Sequence, residues 1–92
     1  MWIQDLLNKY KRKRVDITFN EHILKTQNEK NLDLDLVEET VRTGKVIIKK
    51  CERPNKLCFR RYFGKINESY DVILRVRDDL FEVITAWKKK GR

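Results

Sequence analysis

Apolar side chains recur at three- and four-residue steps in the first half of the chain and at alternate positions in the second. Trp2, Ile3, Leu6, Leu7 and Tyr10 form a helical stripe, which predicts a helix over 2–13. The basic run Lys11 to Arg14 closes it, at the negative end of the helix dipole. A short strand is expected over 15–18. Thr18-Phe19-Asn20-Glu21 reads as a capping box, so a second helix spans 19–30 and turns Phe19 and Ile23 inward. Asp33 or Asp35 caps a third helix with the stripe Leu34, Val37 and Val41, and Gly44 is placed to end it in a left-handed turn. The alternation Leu32 to Leu36 also reads as a strand, but the step carried on by Val37 and Val41 favours the helix.

From Lys45 the period changes. Strands are predicted over 46–51, 57–63, 70–76 and 80–87, with turns at 53–56, 64–69 and 78–79. Helices followed by strands predict an α+β domain, its N-terminal helices packed on one face of a four-stranded antiparallel sheet. A loop at Asp78-Asp79 sets Val76 opposite Phe81, Leu74 opposite Val83, Val72 opposite Thr85 and Tyr70 opposite Trp87. Directly opposed residues share a face, so this register makes one side apolar and puts Arg75 opposite Glu82 on the other. Setting Phe63 opposite Tyr70 adds Leu57 and Phe59 to the apolar side, with Arg61 as the exception. A symmetric turn about Pro54-Asn55 opposes Cys51 to Cys58. The second face then gathers Lys49, Arg60, Tyr62, Arg75 and Arg77 among Ile47, Ile73 and Ile84, and no segment is left to cover it.

Ninety-two residues suit a single domain, 1–92, with a basic helix over 1–14 and a basic tail over 88–92. Such a chain buries a small core, so no cofactor is expected. At 40% hydrophobic residues with nine aromatics, it is not a disordered composition. No stretch approaches the roughly 18 apolar residues of a membrane span, and the opening residues lack a secretory pattern. A cytosolic location follows, with reduced thiols. Cys51 and Cys58 are spaced C-x6-C rather than as a zinc knuckle, so no metal is expected.

Charge sharpens the picture. The net +8 is segregated: +4 over 1–14, −4 over 15–44, +4 over 45–85 and +4 from Ala86 onward. Cations collected on one face favour a polyanion, because each neutralised phosphate releases counterions. A generally basic, solubilising surface is the plainer alternative. RNA suits the second face best: Arg60 and Arg75 as phosphate clamps, Lys49 as a further cation, and Tyr62 as a ring on which a base stacks or as a proton carrier. His22 is the sole histidine and has the one side chain whose ordinary pKa is near neutral, so it is a candidate proton carrier or else a packing or capping residue. Arg77, Trp87 and Lys88 extend the RNA-binding set, the last two in a tail that is either an arm on the phosphate backbone or a frayed end. Asp71 and Glu82 resemble a metal-nuclease pair only loosely, since the usual following lysine is missing and Glu82 already faces Arg75. No Gly-rich phosphate loop and no H-E-x-x-H occurs.

The order of elements resembles the RelE/ParE-like superfamily of type II toxins, and within it a branch with an early histidine. The likeness rests on Ile17-Thr18-Phe19-Asn20-Glu21-His22, on Val41-Arg42-Thr43-Gly44-Lys45, on Arg60-Arg61-Tyr62-Phe63-Gly64, and on the closing run Phe81 to Trp87. The resemblance implies helices against a curved antiparallel sheet, a small antitoxin partner, and for several members metal-independent endoribonuclease cleavage of ribosome-bound mRNA. Arg60, Tyr62 and Arg75 fall at comparable strand positions, with Lys49 as a companion. The chain departs by carrying Trp87 and Lys88 where the best-known ribonucleases end in tyrosine or arginines. Other members act on gyrase. A non-catalytic nucleic-acid-binding domain and a protein-interaction domain are the competing readings.

Overall fold

The computed structural model describes residues 1–92. Its elements are α1 (Trp2–Lys9), β1 (Asp16–Phe19), α2 (Glu21–Thr26), α3 (Leu34–Thr43), β2 (Lys45–Val46), a 3₁₀ turn (Ile48–Lys50), β3 (Lys56–Phe63), β4 (Glu68–Arg77) and β5 (Leu80–Lys90). The strands form one five-stranded sheet in the order β1-β5-β4-β3-β2. β1 runs parallel to β5, and every other pairing is antiparallel. The fold is therefore α+β as expected, but the sheet is mixed and five-stranded rather than antiparallel and four-stranded. Periodicity finds the short strand near residue 16 without showing its neighbour. α2, α3 and strands β2 to β4 lie between β1 and β5, a connection long enough for parallel pairing.

Helices cover one face of the sheet. Ile3, Ile23, Val37 and Val41 join Leu57, Phe59, Tyr70, Val72, Leu74, Val76, Phe81 and Val83 in a single buried cluster. No helix is long and apolar enough to cross a membrane.

Several local expectations change. α1 stops at Lys9, and the basic run after it does not simply face solvent. Arg12 turns inward and donates to the Val41 carbonyl at 2.8 and 3.0 Å and to the Gly44 carbonyl at 2.6 Å, its guanidinium 4.2 Å from the Phe59 ring centre. Arg42 answers from α3, donating to the carbonyls of Arg12 and Val15 at 3.0 Å each. Thr18 lies within β1, and the cap of α2 is Asn20, whose side chain accepts from the His22 amide at 2.8 Å. Asp33 caps α3 through the Asp35 amide.

Gly44 does end α3, but with φ −73° rather than in a left-handed turn. Its requirement for glycine is steric: a Cβ there would sit 2.4 Å from the Thr40 carbonyl oxygen and 2.9 Å from that of Arg60. The strand expected over 46–51 breaks after Val46. The Ile47 amide still bonds the Cys58 carbonyl at 2.9 Å, and then Ile48–Lys50 winds into the 3₁₀ turn.

Register is partly as expected. Val76 opposes Phe81, Leu74 opposes Val83 and Arg75 opposes Glu82. A bulge at Ile84 then shifts the ladder by one, so Val72 meets Ala86, Asp71 meets Trp87 and Tyr70 meets Lys88. β3 slips by two from the expected pairing, with Arg61 opposite Tyr70 and Phe63 opposite Glu68. A slip of two keeps every side chain on its face, so Leu57 and Phe59 stay inward. Arg61, the exception on that face, is satisfied by Glu39 at 3.0 Å and the Thr43 hydroxyl at 2.6 Å. The loop before β3 closes between Glu52 and Lys56, so Cys51 and Cys58 are not cross-strand partners. Both thiols are free, and the Cys58 amide donates to Cys51 Sγ at 3.4 Å.

Gly44→Ala should lower folding stability by about 2 kcal/mol, because the methyl group meets backbone rather than flexible side chains. Gly64→Ala, whose Cβ would meet nothing closer than 3.7 Å, should change it by less than about 0.5 kcal/mol. Urea midpoints of the two variants check both values.

Candidate nucleic-acid interface

The face without helices is built from rows of opposed residues across β3, β4 and β5. In order along the sheet they are Tyr62–Ser69–Lys89, Arg60–Asp71–Trp87, Cys58–Ile73–Thr85 and Lys56–Arg75–Glu82. Strand alternation puts each row on one side and separates successive rows by about 6.6 Å. The bulge at Ile84 decides the second row. Without it Trp87 would point toward the helices, as the alternation of the sequence predicts, and Lys88 away from them.

Asp71 sits at the centre and is 4% exposed. Arg60 clamps it with two bonds, Nε to Oδ1 at 2.7 Å and Nη2 to Oδ2 at 2.8 Å. Lys50 reaches the same carboxylate at 3.4 Å from the 3₁₀ turn, its Nζ also lying 4.9 Å from the Trp87 ring centre. Burial pushes the Asp71 pKa up, but the hydrogen bonds and charges of Arg60 and Lys50 outweigh it and hold the carboxyl below its ordinary value. Arg60 is raised in turn, chiefly by its bonds to Asp71. In the adjacent row, burial above all, with the Asp71 charge adding to it, pushes the Cys58 thiol up to about 11, so it stays protonated at neutral pH.

The predicted residues are placed as follows. Arg60, Tyr62 and Arg75 share this face, and none lies beneath a helix. They do not converge: Tyr62 is opposite Ser69, six residues along β4 from Arg75, a span of about 20 Å. Arg60 spends its charge on Asp71. Arg75 is exposed with no carboxylate within ion-pair distance; Glu82, its cross-strand partner, pairs instead with Arg77 at 2.9 Å. The Tyr62 hydroxyl donates to Asn67 at 2.8 Å, and the Arg92 guanidinium lies 4.6 Å from its ring centre. Lys49 is exposed in the 3₁₀ turn and unpaired, while its neighbour Lys50 is the one that joins the central row. Trp87 is half-buried on this face. Lys88 lies on the opposite one and pairs with Glu68 at 3.2 Å, and the strand runs through Lys90 where a tail was expected. His22 is exposed at the start of α2, beyond β1, and β1 lies three strands from β3, about 14 Å across the sheet.

Sequence reasoning missed Asp71 as an anchor and Lys50 as its second cation. One signal was present: an acid flanked by Tyr70 and Val72, both inward-facing, must point to the other face of the sheet, where it needs a partner. It also missed Lys45 and Arg92, which with Arg60, Tyr62 and Ser69 line a cleft of 350 Å³ at the end of this face. No family model matches the chain, and neither do any curated protein or solved structure.

The chemistry of the face is that of holding anions and stacking rings. Since the folded pKa of Asp71 lies below its unfolded value of about 3.9, its stabilisation is complete above about pH 5 and disappears as pH falls through the folded value. Asp71→Asn should cost about 1–2 kcal/mol at pH 7, the partial exposure of Arg60 keeping the figure low. It should also flatten the loss of stability between pH 5 and pH 2, read from urea unfolding across that range.

Proposed function

We propose that the protein binds single-stranded RNA on the helix-free face of its sheet, as a toxin of the RelE/ParE-like class restrained by a small antitoxin. The observation that carries the reading is the combination on one face of unpaired cations, Arg75 and Lys89, with the rings of Trp87 and Tyr62. Unpaired cations gain from phosphate neutralisation, whereas cations already held by carboxylates gain little. Aromatic rings on such a face accept unpaired bases without regard to sequence. A spread of about 20 Å suits a chain laid along the sheet better than a single phosphate in a pocket. Ribosome-bound mRNA presents such a chain.

Cleavage is the second reading, favoured by the adjacency of Arg60 and Tyr62 on β3. In it Arg60 holds the phosphate, Lys49 adds positive charge, and Tyr62 stacks a base or carries a proton. Binding stands ahead because the Arg60 charge is committed to Asp71 and because His22 lies strands away.

With a fluorescent twelve-residue oligouridylate, affinity should fall steeply as salt rises. Arg75→Ala should reduce the slope of log affinity against log salt by about one, and Trp87→Ala should cost about 1–3 kcal/mol. An affinity that does not change with salt rejects the RNA reading altogether. Incubating the protein with free and ribosome-bound mRNA in EDTA separates the two readings: product that disappears in folded Arg60→Ala establishes cleavage, and intact RNA leaves binding alone.

A further inference from the structure

The segment that joins α1 to β1 lines a cleft of 450 Å³ on the helix-covered side, with Arg42 of α3 also in its wall. Five of the seven lining residues are cations and none is acidic. Two of the five are fixed in place. Arg12 is held through Nε and Nη2 by the carbonyls of Val41 and Gly44. Arg42 is held through Nε by Glu38 and through Nη1 by the carbonyls of Arg12 and Val15. That leaves Nη1 of Arg12 and Nη2 of Arg42 without an acceptor. No buried side-chain nitrogen lacks a partner, so both of these reach solvent.

Lys11, Lys13 and Arg14 complete the cationic wall, all exposed and with no carboxylate within ion-pair distance. The positive surface is short, because carboxylates bound it. Glu38 pairs with Arg42 at 3.0 Å on the α3 side. Asp78 and Asp79 line the next cleft along, which shares Lys11 and Arg14. A long phosphate backbone laid across the cleft meets these acids and is repelled, whereas a compact anion stays clear of them. A single phosphate group, carrying about −1.5 to −2 at neutral pH, leaves part of three free charges unmatched. A short chain of linked phosphates matches them.

We infer that this cleft binds a compact oligophosphate, either free or as the phosphate chain of a nucleotide. Lys11, Lys13 and Arg14 neutralise its charge, and the free guanidinium nitrogens of Arg12 and Arg42 donate to its oxygens. The two arginines are already oriented by backbone carbonyls, so a ligand does not have to order them. The groups come from the joining segment and from α3, and a ligand shared between them ties the two together. It therefore stabilises the folded protein by mass action. The inference is independent of the RNA reading, which uses the helix-free face.

The test is a calorimetric and NMR titration of the intact protein with inorganic tripolyphosphate, orthophosphate, metal-free ATP and octauridylate. Tripolyphosphate should shift the amides of residues 11–14 and 42 and raise the thermal midpoint as its concentration increases. Orthophosphate should bind at least about tenfold more weakly. Lys13→Gln and Arg14→Gln, both at exposed positions, should each weaken tripolyphosphate about tenfold, the loss of one charge-assisted hydrogen bond. Arg75→Ala, on the other face, should leave it unchanged, which separates this site from the RNA surface. Competition by ATP assigns the site to a nucleotide's phosphate chain, and failure to compete assigns it to free oligophosphate; either keeps the inference. Tripolyphosphate shifts confined to other surfaces, full affinity in folded Lys13→Gln and Arg14→Gln, or octauridylate perturbing residues 11–14 more strongly than tripolyphosphate would each overturn it.

Discussion

A carboxylate buried on the side of the sheet that the helices leave bare is the constraint around which this surface is organised. Unpaired, Asp71 would carry a desolvation cost of several kcal/mol. It is met by Arg60 from the neighbouring strand and by Lys50 from the 3₁₀ turn. The two cations are thereby fixed in direction, and Lys50 is drawn over the Trp87 ring. What remains free for a ligand is what Asp71 does not claim: Arg75 and Lys89 on the face, Lys45 and Arg92 at its end. Formal charge overstates the local field here, because the most central arginine is already neutralised.

The bulge at Ile84 is the second determinant. A one-residue insertion reverses the facing of everything beyond it, so the last third of β5 presents Trp87 to the bare face and Lys88 to Glu68 on the other. The core gains by the same step. It receives Ala86, which is fully buried, opposite Val72 instead of the hydroxyl of Thr85. One irregularity therefore serves packing and surface chemistry together.

The basic opening of the chain shows how charge in a sequence and charge on a surface diverge. Arg12 stands in the run that follows α1, yet its guanidinium is used to bind the free carbonyls at the end of α3 and to cover Phe59. Burial lowers its pKa, and the carbonyls that it serves compensate in hydrogen bonds what it loses in hydration. Arg42 reciprocates across the same junction. Two cations of the sequence thus hold the N-terminal segment to α3.

Periodicity alone determined the division into helices and strands, the inward residues of α3, β3 and β4, and the common facing of Arg60, Tyr62 and Arg75, because side-chain direction in a regular element is a local property. Even the two-residue slip of β3 was harmless for that reason. Tertiary structure alone decided the parallel seat of β1, the break after Val46, the bulge at Ile84, and which cations are neutralised. Each of these depends on what lies opposite in space. Asp71 illustrates the boundary: that it faces away from the core follows from its neighbours in the chain, but that Arg60 and Lys50 answer it follows only from how the strands and the turn come together.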